Sequence, residues 1–211
     1  MNSLRSQHRQ ALEAILLVSC VWTMTLHAQQ SGATLVFYAQ PQVSDELLPA
    51  LFQVLRADLD DEAGLPNGVQ FDKDATFVRG SDDLLGITFS RIITVKLLGR
   101  CDVLPQTSRP SLQGPLGWVM LVSGKIQPRI SIDCTRLAQV LRPAVAGLNK
   151  QERRYAMLQA IAHVLLHEWS HIATQSPAHT AGGLTRADLS VNELIATPKR
   201  NQLSAASHYS R

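Results

Sequence analysis

Apolar and polar positions along this chain change period several times, and each change predicts an element. Residues 33–38, Ala-Thr-Leu-Val-Phe-Tyr, form a short apolar, partly β-branched run that predicts a buried strand. Past Pro41 the period lengthens. Leu47, Leu48, Leu51, Phe52, Leu55 and Leu59 fall on one stripe and predict a helix over 44–62, capped by Ser44 or Asp45. Pro49 is tolerated there because amides at the end of the first turn lack helical partners. Gly64-Leu65-Pro66-Asn67-Gly68 reads as a loop, and from Gly86 to Leu98 the pattern is β, with Ile87, Phe89, Ile92, Ile93 and Val95 prominent. Residues 105–117, rich in Pro, Gly and Ser, read as a second loop. A hairpin follows: Trp118–Val122, a turn at Ser123-Gly124-Lys125, then Ile126–Ile132. Pro128 places the second of these strands at a sheet edge or in a bulge. Residues 133–142 suit a helix that Pro143 ends or kinks.

The longest helix is predicted from Asn149, with Glu152 three residues later completing a capping box, to about Thr174. At 100° per residue, Leu158, Ile161, Leu165, Trp169 and Ile172 share one side. His163, His167 and His171 lie opposite with Ala160 and Val164, and Glu168 sits at the border. This predicts a helix with a core on one flank and polar groups facing a cleft on the other.

Composition narrows the class. The chain has 211 residues, 45% hydrophobic and 18% charged, which suits one globular domain with a real core. Residues 1–28 read as an export signal: Arg5, His8 and Arg9, then an apolar stretch from Ala11 to Leu26, ending at Leu26-His27-Ala28. That stretch is shorter than the roughly 20 residues of a membrane span. Residues 29–211 form the mature domain, secreted or periplasmic. A membrane enters only if the N-terminal segment is retained, or if Leu17-Val18-Ser19-Cys20 acts as a lipoprotein box. Without residues 1–28 the net charge is +2, too small to imply nucleic acid. Acids crowd into residues 45–83 and bases into 91–154, which opposed faces of one domain would explain. Asp58, Asp60, Asp61 and Glu62 do not form an EF-hand, because the sixth and twelfth positions counted from Asp58 are Ala63 and Val69. Cys101 and Cys134 are an even pair in an exported chain, which points to a disulfide; two buried thiols are the alternative. The residues set neither substrate preference nor oligomeric state.

The chemistry concentrates at residues 167–171, His-Glu-Trp-Ser-His, the H-E-x-x-H pattern. On a helix, residues i and i+4 stack, so His167 and His171 reach one metal ion while Glu168 lies beside them to take a proton from water. Catalytic zinc takes a third protein ligand. His179 is the first candidate, eight residues past His171 and beyond the helix stop at Gln175-Ser176-Pro177. Glu193 is the second, in Asn192-Glu193-Leu194-Ile195-Ala196, where capping is its other role. His163 is the third; its other roles are lining the cleft and hydrogen-bonding near the site. Trp169 is either core or a bulky neighbour of the base. A histidine-bearing helix that binds no metal is the structural alternative for the whole cluster.

Residues 163–187 resemble the site of the metzincins, zinc peptidases whose H-E-x-x-H-x-x-G-x-x-H pattern precedes a methionine-containing turn. The segment Gly182-Gly183-Leu184-Thr185-Arg186-Ala187 after His179 is similar to one in a group of small exported bacterial zincin-like proteins. Two positions depart: Thr174 stands where the metzincin motif has glycine, and Thr185 where the methionine falls. The resemblance implies an α/β (α+β), zincin-like fold, a twisted mixed sheet with a long active-site helix. It further implies Zn²⁺ as cofactor, held by His167, His171 and His179, with Glu168 as general base. The expected activity is hydrolysis of a peptide or protein substrate outside the cytoplasm. An exported zinc-binding protein with little or no catalysis is the rival expectation.

Overall fold

A computed structural model describes residues 32–61, 69, 71–80, 91–103, 114–179 and 189–195. The predicted signal segment, the loop at 64–68, most of the loop at 105–117 and the segment 182–187 lie outside the described residues, as does Cys20.

The first strand, β1 (Ala33–Ala39), is buried from Ala33 to Phe37 because it has a parallel neighbour on each side. Those neighbours are β2 (Thr76–Arg79) and β3 (Arg91–Leu98). A strand buried at five successive residues reads as a continuous apolar run, which is why it was legible. β2 escaped prediction: its four residues are too few to display a period. Two more strands, β4 (Gly117–Val122) and β5 (Lys125–Asp133), form the expected hairpin. The turn residues Ser123 and Gly124 both have positive φ, 50° and 75°, as a two-residue type I′ turn requires. The sheet order is β2-β1-β3-β5-β4, parallel except for β4, which runs antiparallel along one edge. β5 is therefore interior. Pro128 falls in an irregularity of the β4–β5 ladder, where residues 127–129 face Met120 alone between the pairs Val119–Ile130 and Leu121–Ile126. Of the two places predicted for Pro128, the bulge is the one found.

Three helices pack on one face. The first, α1 (Leu47–Asp60), begins later than predicted, with Glu46 at the N-cap and no side chain capping it. The acids nearby are drawn to arginines: Asp45 pairs with Arg79 and Glu46 with Arg154, each at 3.0 Å. α2 (Cys134–Val145) is capped by the Asp133 side chain, which accepts from the Arg136 amide at 3.0 Å. Pro143 does not end it. Leu141 and Val145, both fully buried, hold the last turn on the core. Cys101 and Cys134 form a disulfide with Cα atoms 4.6 Å apart, joining the chain after β3 to the start of α2.

The long helix α3 (Lys150–Thr174) starts with both bonds of the predicted capping box, Asn149 with Glu152. The two-sided reading of this helix needs correction. Every residue from Ala156 to Ile172 is buried, including the histidine side. The cause is its central place, against α1, α2, β4, β5 and the short α4 (Val191–Leu194). The structure is thus mixed α/β, a five-stranded mixed sheet with helices, and the motif rides on the most enclosed helix.

Candidate metal centre

His167 and His171 meet as their i, i+4 spacing requires, with Nε2 atoms 3.2 Å apart. A tetrahedral zinc with bonds of 2.0–2.1 Å would separate two ligand nitrogens by about 3.3 Å. The proton positions favour a ligand role. His171 Nδ1 lies 2.7 Å from the Ser176 carbonyl, which can only accept, so Nδ1 carries the proton and Nε2 presents its lone pair. His167 Nε2 meets that lone pair either across a bound cation or by donating a proton to it.

The Ser176 carbonyl is brought there by the end of α3. Gln175 takes the left-handed conformation (φ 52°, ψ 30°) and reverses the chain. Its side-chain amide accepts from the Ile126 N–H (3.2 Å) and donates to the Ile126 and Ile172 carbonyls (3.1 and 2.9 Å), fastening the turn to β5. Four residues on, the exposed ring of His179 stacks beside His167 (centroids 5.3 Å apart, 19° between planes) and meets His171 edge-on at 4.9 Å. One ligand atom from each of the three rings lies within 4.8 Å of the other two. Among the described residues this is the one such group, and a metal ion could be held there. Three imidazoles with no carboxylate form a neutral donor set of borderline softness, which fits a divalent transition metal.

Glu168 is 6% exposed, and its Oε1 lies 3.9 Å from His167 Nε2. Burial pushes its carboxyl up to about 7, against which the Val119 amide of β4 donates a hydrogen bond that favours the charged form. β4 comes this close because residue 117 is glycine. A Cβ there would stand 2.6 Å from Val164 Cγ1 and 3.1 Å from Glu168 Cγ.

The other candidates take different roles. His163 donates from Nδ1 to the Leu194 carbonyl at 3.0 Å, tying α4 to α3, and burial lowers its pKa so that it stays neutral. Glu193 completes the capping box of α4, accepting from the Ser190 amide at 2.7 Å, and is not part of the histidine group. Trp169 is core, 2% exposed and edge-on to Phe71 at 5.1 Å. Thr174, at the departed glycine position, closes the helix by bonding back to the Ser170 carbonyl at 2.8 Å. Sequence reasoning missed Gln175 as the fastening of the ligand turn and Gly117 as the gap that admits β4. Only the glycine carried a signal, since glycine at a strand start marks close backbone approach. Comparison with protein-family models, curated proteins and solved structures finds no match.

Proposed function

We propose that this protein is a zinc-dependent metallopeptidase of zincin-like fold that works outside the cytoplasm. The observation that carries the reading is the His171 Nδ1–Ser176 bond, which turns Nε2 toward His167 beside a buried Glu168. His167, His171 and His179 would hold the ion. Zinc in such a site supplies a Lewis acid that brings the pKa of water near 7 and polarises a carbonyl. Glu168, with a carboxyl near 7, is poised to take a proton from water and return it to a leaving amine. β4, an edge strand of the sheet, runs past Glu168, so an extended peptide added along it would lie beside that carboxyl. The Cys101–Cys134 bond suits an oxidising compartment.

One observation favours the rival, a zinc-binding protein without catalysis: the Glu168 carboxyl is already engaged by the Val119 amide. Metal analysis and a peptide-library digest of the wild type, Glu168→Gln and His179→Ala separate the two. The peptidase reading expects one zinc per chain, hydrolysis abolished at least 100-fold by Glu168→Gln with zinc retained, and zinc weakened by His179→Ala. Zinc without hydrolysis in the wild type would leave the binding module. A wild type that takes up no zinc on reconstitution would sink both.

A further inference from the structure

The face of the sheet turned away from α3 carries a second feature. Register places Tyr38, Lys96, Ser131 and Trp118 in one row across β1, β3, β5 and β4, with Thr94 and Arg129 paired in the row beside it. A groove of about 490 Å³ opens here, lined by Tyr38, Gln40, Thr94, Lys96, Leu98 and Arg129 among others. It lies at the carboxyl ends of β1 and β3. In the order β2-β1-β3-β5, β2 lies on one side of β1 and β3 on the other.

We infer that this groove binds a phosphate group. Its polar atoms are donors: the Tyr38 and Thr94 hydroxyls, the Lys96 ammonium and the Arg129 guanidinium. Gln40 joins them, because its Oε1 accepts from the Gly99 amide at 2.6 Å and its NH₂ has no partner among the described residues. Among the described residues no lining residue is acidic. Lys96 and Arg129 have no ion-pair or hydrogen-bond partner among the described residues. The one acid on these strands' near rows, Asp133, is spent on capping α2. Two adjacent unpaired cations repel each other, and a multi-oxygen anion between them removes that cost while meeting the surrounding donors. Tyr38 is set in place at the rim by Gly80, where a Cβ would stand 2.3 Å from its ring. Tyr38, 48% exposed, offers a flat ring at the rim that suits an organic group attached to the phosphate.

The test is a titration of the full ¹⁵N-labelled chain, metal-loaded and chelated, with inorganic phosphate and with phenyl phosphate, against sodium chloride at matched ionic strength. Saturable shifts at the Gly99 amide and the Gln40 side-chain amide are expected in both metal states. Lys96→Gln with Arg129→Gln should weaken them at least tenfold, and His167→Ala should leave them unchanged. Tighter binding of phenyl phosphate assigns an organic phosphate; equal binding assigns free phosphate. Shifts that grow linearly as with chloride, or binding indifferent to the double substitution with the fold intact by circular dichroism, would overturn the proposal.

Discussion

At the scale of single residues, metal affinity is expected to depend on a side chain outside the histidine group. Gln175 holds the turn whose Ser176 carbonyl fixes the His171 tautomer. Gln175→Asn keeps a residue that tolerates left-handed backbone but shortens its reach to Ile126. Zinc affinity, read by competition with a chelator, is expected to fall about tenfold, the lower range for groups that orient ligands. Unchanged affinity would show that the turn holds itself. Glycine 117 is the converse case, an absent side chain that matters. Gly117→Ala should cost about 1–3 kcal/mol in urea unfolding, because its methyl group meets Val164 and pushes β4 off Glu168.

At the scale of elements, the packing of α1 on α3 hides a carboxyl. Asp58 is 7% exposed, and burial, with the charge of Asp61 adding to it, pushes its pKa from 3.8 up to about 7. A folded pKa above the unfolded one means that the folded chain holds the extra proton between about pH 4 and pH 7. Stability therefore falls as pH rises through that window, and the loss is complete above it. At 1.4 kcal/mol per unit the loss is of order 4 kcal/mol. Asp58→Asn should be more stable than wild type by that order at pH 8 and about equal to it at pH 4.5, measured by urea unfolding. A difference that does not change with pH would mean Asp58 does not titrate there. The same pair of helices shows what sequence could reveal. The capping box at Asn149, the apolar stripe of α1 and the paired histidines are local patterns, and each was legible. The enclosure of α3 was not, because small Ala156, Ala160 and Ala162 and neutral His163 read as a polar or neutral flank until neighbouring elements close over them. β2 was lost for want of length, and the helix over 133–142 was cut short because Pro143 outweighed the apolar Val145 beyond it.

At the scale of the whole molecule, the disulfide links the sheet to the layer of helices. Cys134 is fully buried at the first turn of α2, and its partner lies 33 residues earlier, just past β3. Reduction should lower the unfolding free energy by roughly 2–4 kcal/mol. The histidine group stands on α3 and its following turn, so zinc binding by the reduced chain should survive below the new midpoint. Loss of zinc on mild reduction without unfolding would show that the two are coupled.

The amide of Gln175 clasps both backbone groups of Ile126, the second residue of β5. The hairpin and the ligand-bearing turn, 49 positions apart along the chain, are thereby one mechanical body. A partner held at the exposed tip, Leu121 and Val122, would therefore bear, through Ile126 and Gln175, on the turn from which His179 departs.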